Sequence, residues 1–292
     1  MILTVASLYN ELTEKFKAAG IPEAENNAKL LLAHYLDVSA HELLMGGMRE
    51  ADETDVERLM AAADRRLLRE PLQYITGTAP FMGLDFQVDK NVLIPRPDTE
   101  ILAEEALRNL NDGSRILDLC TGSGCILISL LKYSNDCKGI GTDISEGALL
   151  VAEKNAAAIL GENNTALFLQ GDLFDALAEI ADDTEKSRFE MIVSNPPYIA
   201  SDVIETLMPE VKDFEPRLAL DGSKTGLLFY EKLIPKAKEH LTVGGQLLLE
   251  IGFDQGEAVK EIMDRNGYIE TNIIKDYAGN DRVVTGIKSV YL

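Results

Sequence analysis

Ile116-Leu117-Asp118-Leu119-Cys120-Thr121-Gly122-Ser123-Gly124 joins a short apolar run to a loop with two glycines. A run of this length bounded by glycine reads as a buried strand, and the loop ends it and opens a helix. Glycines there let the backbone come close to a ligand while the first N–H groups of the helix point toward it. The dinucleotide fingerprint would need a third glycine three residues after Gly124, where Leu127 stands instead, and no Gly-Lys-Ser/Thr follows. The loop is therefore built neither to cradle a pyrophosphate nor as a Walker loop.

Downstream, strand-like runs alternate with helical segments: Gly139–Thr142, Ala166–Leu169, Met191–Ser194, Gln246–Ile251, Tyr268–Ile274 and Val283–Ile287. This alternation predicts a parallel, doubly wound α/β sheet with helices on both faces. Upstream the character differs. Residues 1–71 read as a small helical bundle, with Thr4 capping a helix of Leu8, Leu12 and Phe16 that ends at Gly20. Capping boxes follow at Ser39-x-x-Glu42 and Thr54-x-x-Glu57, and Pro71 is expected to stop the last helix. The bundle serves either as packing support or as a docking surface for a macromolecule. Residues 72–95, with Phe81, Phe86 and Val88 around Gly77 and Gly83, suggest a β-hairpin linker ahead of a domain spanning 96–292.

The 292 residues carry 28 basic and 49 acidic side chains, a net charge of −21. That balance weighs against a protein that tracks duplex phosphate, so no direct nucleic-acid contact is expected. Cys120, Cys125 and Cys137 form no CxxC pair and only three histidines accompany them, so neither a metal site nor a disulfide framework is expected. No window has the apolar length of a membrane span, and Met1-Ile2-Leu3-Thr4 lacks the basic start of a signal peptide. The expectation is a cytoplasmic protein with no membrane partner.

Polar residues at successive strand ends outline a ligand. Asp143, 25 residues after Asp118, ends the second strand, where two carboxylate oxygens match the vicinal hydroxyls of a ribose. Taken alone it is also read as a cap for the helix that starts near Ser145. Asp172 ends the third strand, as an acceptor for an adenine amino group or as simple turn chemistry. Together with the 120–124 loop they describe an adenosine-shaped site without a diphosphate cradle, which S-adenosyl-L-methionine fits. The fourth strand ends in Ser194-Asn195-Pro196-Pro197-Tyr198, a rigid turn. Its Asn195 carboxamide oxygen and Pro196 carbonyl are placed to accept the two N–H groups of a planar amide or amine, with Tyr198 as an aromatic face.

With these motifs in view the sequence resembles the class I methyltransferases that carry an (N/D)PPY motif, and among them the bacterial release-factor glutamine methyltransferases. The resemblance extends to Pro71-Leu72-Gln73-Tyr74-Ile75, Ile94-Pro95-Arg96-Pro97-Asp98-Thr99-Glu100, Glu215-Pro216-Arg217-Leu218-Ala219-Leu220 and Asp276-Tyr277-Ala278-Gly279-Asn280-Asp281-Arg282. It implies a Rossmann-like, mostly parallel seven-stranded sheet behind the helical bundle and hairpin. It also implies methyl transfer from S-adenosyl-L-methionine to the glutamine side-chain nitrogen in the Gly-Gly-Gln motif of peptide chain release factors, in translation termination. The cofactor contacts it implies are Cys120, Thr121, Gly122, Ser123, Gly124, Asp143, Asp172, Leu173 and Asn195. The substrate contacts are Asn195, Pro196, Pro197 and Tyr198, with Asn195, Pro196 and Tyr198 catalytic. Arg96, Pro97 and Thr99 would lie near the methionine end.

Two positions depart from the pattern. Cys120 replaces the usual first glycine, which is tolerable with φ negative, and Leu173 replaces a large aromatic, so stacking becomes aliphatic packing. Two other readings stand beside this one. A nucleobase amino methyltransferase uses the same turn on an exocyclic amine, and a noncatalytic adaptor would use only the bundle. The chain's own Gly244-Gly245-Gln246 precedes Leu247-Leu248-Leu249 and reads as turn glycines entering a strand.

Overall fold

The computed structural model describes residues 3–180 and 187–289. The chain divides into two compact units, residues 1–77 with 208–214, and residues 78–207 with 215–292.

The first unit holds α1 (Val5–Ala18), α2 (Ala24–Leu36), α3 (Ala40–Leu44), α4 (Glu53–Leu67) and α5 (Leu72–Thr76). Thr4 and Ser7 close a capping box on α1, each hydroxyl accepting from the other's backbone N–H at 3.2 and 3.0 Å. The i, i+4, i+8 stripe of Leu8, Leu12 and Phe16 is fully buried against Leu31, Leu32 and Leu59. Two sequence expectations fail here. The cap of α4 is Asp52, whose carboxylate accepts from Thr54 N–H at 2.9 Å, and not Thr54. A carboxylate is a stronger acceptor than a hydroxyl and complements the helix dipole, so the helix starts earlier. Nor does Pro71 stop α4. The left-handed Arg69 (φ 73°) ends it, and Pro71 caps α5 instead.

Arg66 of α4 is 5% exposed, and a buried guanidinium needs partners. It donates to Asn27 Oδ1 at 2.7 Å and to Glu210 Oε1 at 2.9 Å, while Arg69 donates to Glu210 Oε2 at 2.8 Å. This explains why a segment more than 140 residues downstream belongs to the first unit.

The second unit begins with the hairpin β1 (Thr78–Phe81) and β2 (Leu84–Gln87), followed by α6 (Pro97–Asn109), β3 (Arg115–Leu119), α7 (Cys125–Tyr133), β4 (Lys138–Asp143), α8 (Glu146–Leu160), β5 (Ala166–Gln170) and β6 (Phe189–Ser194). The chain then contributes α9 (Pro209–Lys212) to the first unit and returns as α10 (Leu228–His240), β7 (Leu241–Glu250), α11 (Gly256–Arg265), β8 (Tyr268–Lys275) and β9 (Asp281–Lys288). Each strand candidate in the sequence falls on one of the sheet strands, with Gln246–Ile251 running one residue past the end of β7.

The seven strands run in the order β5-β4-β3-β6-β7-β9-β8, with the first five parallel and β9 antiparallel to both neighbours. The central strands bury apolar residues on both faces because both faces are covered. Leu117, Ile192 and Leu247 join one core with α10 and α11, and Ile116, Met191 and Leu248 join another with α6 and α7. Chain direction across the sheet reverses at β3. The carboxyl ends of β3, β4 and β6 therefore open a crevice at the switch point, where ligands bind in such sheets. Gly244-Gly245-Gln246 lies inside β7, where ladder pairing resumes at Gln246 with Met191 and Ile287, so the glycines form the entry to the buried half of the strand.

Candidate functional site

A cavity of about 260 Å³ opens at those strand ends. Its wall takes Cys120, Thr121, Gly122 and Ser123 from the first loop, Asp143 after β4, Asp172 and Leu173 after β5, and Asn195 and Pro197 after β6. Arg96 and Thr99 also line it, as do Pro216 and Leu218 of the Glu-Pro-Arg-Leu segment. Of the residues singled out from sequence, Gly124, Pro97, Pro196 and Tyr198 are not on this wall.

The first loop is held from below. Asp118 is fully buried and accepts from Thr121 Oγ1 at 2.6 Å, while Thr121 N–H reaches the Thr142 carbonyl at 3.0 Å. Burial pushes the Asp118 carboxyl up to about 7, against the Thr121 hydrogen bond that lowers it. Asp143 braces the loop from the side. Its Oδ2 accepts from Gly122 N–H and its Oδ1 from Ser145 N–H, both at 2.9 Å. Each oxygen keeps a second lone pair for a ligand hydroxyl. Asp143 orders the turn into α8, whose cap is Ser145, and it also lines the cavity. Burial raises its proton affinity and the two N–H groups oppose that rise.

Cys120 takes φ 59°, not the negative φ expected of it. The chain must turn sharply from β3 into the loop, and an L-residue in this left-handed region costs about 1–2 kcal/mol. Burial pushes the Cys120 thiol up, so it is a neutral wall group. Leu173 also stands at positive φ (52°) and is 7% exposed, which makes it an apolar flank of the cavity.

At the β6 end, Asn195 Nδ2 donates to Thr99 Oγ1 at 3.2 Å, which leaves the carboxamide oxygen for the cavity. Tyr198 points its hydroxyl to Glu250 Oε1 at 3.3 Å. Glu250, last residue of β7, is 1% exposed, and burial pushes its carboxyl up to about 7 against Thr99, Arg282 and Tyr198. Sequence reasoning missed it. The available signal was a carboxylate in Leu247-Leu248-Leu249-Glu250-Ile251, because an acid inside a buried run needs partners. Three of the other resemblance motifs, at 94–100, 215–220 and 276–282, meet nearby. Arg282 binds Asp98 at 3.1 Å and Asp276 at 3.2 Å, and Arg96 pairs with the buried Glu215. Among the described residues, no three His, Cys, Asp or Glu side chains group to hold a metal ion, and no helix is long and apolar enough to cross a membrane.

A seven-stranded sheet of this order, with a glycine loop, a strand-end acid and Asn-Pro-Pro-Tyr on one crevice, defines a class I methyltransferase. A methyltransferase from Pyrococcus furiosus shares the fold, with a TM-score of 0.53 at 19% identity over 82% of this chain and 100% of its own. Family models for the PrmC N-terminal domain and the methyltransferase small domain match residues 7–77 and 97–211. The release factor glutamine methyltransferase of Caulobacter vibrioides is 38% identical over 99% of this chain and 98% of its own, and that of Clostridium botulinum is 40% identical over 93% and 95%. The chain belongs to the release factor glutamine methyltransferase family.

Proposed function

We propose that this protein transfers a methyl group from S-adenosyl-L-methionine to the side-chain nitrogen of the glutamine in the Gly-Gly-Gln motif of a peptide chain release factor. The observation that carries the reading is that Asn195 and the Asp143-braced loop open on one cavity in a chain of this family. The donor set suits the cofactor. Asp143 has a lone pair per oxygen for the ribose hydroxyls, Leu173 and Asp172 flank the adenine, and the 120–124 loop with Arg96 takes the methionine end. When bound, S-adenosyl-L-methionine supplies an electrophilic methyl on a sulfonium sulfur.

An amide nitrogen is a poor nucleophile because its lone pair is delocalised into the carbonyl. Asn195 Oδ1 and the Pro196 carbonyl accept its two N–H groups and favour the localised, pyramidal nitrogen of the transition state over the planar ground state. Holding the nitrogen in line is worth roughly 7–11 kcal/mol of the barrier. No strong base is needed, since an N-alkylated amide readily loses its proton to a carbonyl or water. The test is mass spectrometry of a purified release factor after incubation with this protein and isotope-labelled S-adenosyl-L-methionine. The expected result is one labelled methyl on the Gly-Gly-Gln glutamine, reduced about 100-fold or more by Asn195→Ala with a far smaller loss of cofactor affinity. Cofactor binding with that glutamine unmodified would overturn the substrate assignment.

A further inference from the structure

The Asn-Pro-Pro-Tyr turn is short and stiff, so whatever holds one end of it sets the position of the other. The ring of Pro197 fixes its φ, and a shift at the Tyr198 carbonyl is therefore passed back to the Pro196 carbonyl. The Tyr198 carbonyl is taken by Gln255, the residue that opens α11. Gln255 Nε2 donates to it at 3.1 Å and to the Gly226 carbonyl at 3.3 Å, while Gln255 Oε1 accepts from Gly252 N–H at 2.9 Å. Two acceptors face the NH2 and a donor faces the oxygen, so the carboxamide has a single satisfied orientation. Turned end for end, it would set its oxygen against both carbonyls.

The main chain around Tyr198 is closed in as well. A side-chain carbon at Gly226 would collide with the Tyr198 carbonyl oxygen, and one at Gly222 would come within 2.7 Å of the Tyr198 Cα. The next residue pairs with the same segment: Ile199 N–H donates to the Leu220 carbonyl at 3.0 Å, and the Ile199 carbonyl accepts from Gly222 N–H at 2.8 Å. At its far end the Tyr198 hydroxyl donates to Glu250 at 3.3 Å. Both polar ends of Tyr198 thus finish on the junction between β7 and α11.

We propose that Gln255 is a positioning residue that fixes the Asn-Pro-Pro-Tyr turn through the Tyr198 carbonyl, so that the Pro196 carbonyl and the Asn195 oxygen stand where the substrate nitrogen is methylated. This deepens the function proposed above and rests on it for its kinetic readout. Gln255, Gly226 and Gly252 stand off the cavity wall, whereas Asp143 and Leu173 line it at the ends of other strands. Loss of Gln255 therefore falls on turnover more than on cofactor affinity.

The experiment compares Gln255→Glu and Gln255→Met in the full chain at pH 8. Kinetics on a release factor are measured together with S-adenosyl-L-methionine affinity and the ¹³C resonance of the Tyr198 carbonyl. Labelling tyrosine carbonyls with ¹³C and isoleucine with ¹⁵N isolates that signal among the Tyr-Ile pairs at 74–75, 198–199 and 268–269. Glu keeps an oxygen for Gly252 N–H but turns a second, anionic oxygen on the Tyr198 and Gly226 carbonyls. Met has the length of Gln and makes none of the three bonds. A residue that only braced the Gly252 turn would tolerate Glu better than Met. A residue that holds Tyr198 gives the reverse order, with kcat lowered about 10-fold in Gln255→Met and about 100-fold in Gln255→Glu. Cofactor affinity in Gln255→Met stays within about 3-fold of wild type, and the Tyr198 carbonyl resonance moves in both variants. The proposal is overturned by a kcat in Gln255→Glu at or above that of Gln255→Met, by equal losses of kcat and cofactor affinity, or by an unmoved Tyr198 resonance. Should Gln255→Glu fail to fold, Gln255→Met decides through its split between kcat and affinity and its Tyr198 resonance. If wild type leaves the release factor unmodified, the substrate reading has failed, and the Tyr198 resonance decides whether Gln255 holds the turn.

Discussion

Asp143 braces two turns at once on the wall of the cavity. Both oxygens are engaged by backbone N–H groups of the loop and of the α8 turn, and only an ionised carboxylate accepts at both. Asn offers one acceptor oxygen, so Asp143→Asn must release either Gly122 or Ser145 and set an NH2 against an N–H. A lost charge-assisted bond costs about 1.5–3 kcal/mol. Calorimetric titration of Asp143→Asn with S-adenosyl-L-methionine is expected to show affinity reduced by roughly 10- to 100-fold. Unchanged affinity would remove Asp143 from the site. The position and chemistry of this residue were legible in the chain, since an acid at a strand end needs no tertiary knowledge to be noticed. The left-handed φ of Cys120 and Leu173 was not, because neither residue type advertises it and only the direction of the following loop demands it.

At the scale of elements, the hairpin, the ligand loop and α8 are joined by Asn155. This α8 residue is 1% exposed, and its carboxamide mimics a strand neighbour. It accepts from Gln87 N–H at 2.7 Å, donates to the Gln87 carbonyl at 3.0 Å and donates to the Ser123 carbonyl at 2.9 Å. The hairpin turn is held at its other end, where Met82 and Gly83 both take positive φ as a type I′ turn requires. There Glu100 Oε1 accepts from Met82 N–H at 2.6 Å, and Tyr133 Oη donates to the Met82 carbonyl at 2.7 Å. Asn155→Ala leaves the buried Ser123 carbonyl without this partner, at about 1–3 kcal/mol, and removes two part-buried bonds to the Gln87 backbone. The expected outcome is a loss of about 3 kcal/mol in denaturant unfolding, with faster amide exchange concentrated in 78–87 and 120–124. Exchange rising evenly over the unit would argue against a local tie. The apolar alternation around Gly83 was enough to place a hairpin, but the stretch before it proved to be helix α5, closed by Gly77 at φ 76°. That helix depends on its own docking, with Ile75 buried in the core of the first unit and its carbonyl bonded by Tyr35.

For the molecule as a whole, buried acids set a pH dependence. Asp118 titrates at about 7 in the folded state against 3.8 ordinarily, and burial is the cause. Its folded pKa is raised, so below about pH 4 both states hold the proton and no penalty arises. Between about pH 4 and 7 only the folded state holds it, and stability falls as pH rises, reaching the full penalty above pH 7. Asp118→Asn removes the charge that must be buried. Its unfolding midpoint is expected to exceed that of wild type by a few degrees at pH 8, with the gap narrowing toward pH 5. A gap that widens on acidification would reverse the sign and refute burial as the dominant influence.

What the sequence determined by itself was local and periodic: strands from apolar runs, helix starts from caps, and functional turns from glycine, proline and strand-end acids. Those signals follow from backbone sterics and burial on two faces, and they act within a few residues. The tertiary structure alone decided which distant groups meet. Glu250 reaches Tyr198, and Glu210 reaches Arg66, only after the sheet order and loop returns are set. A buried charge has to find its partner wherever the fold places one, and nothing in its neighbours along the chain says where that is.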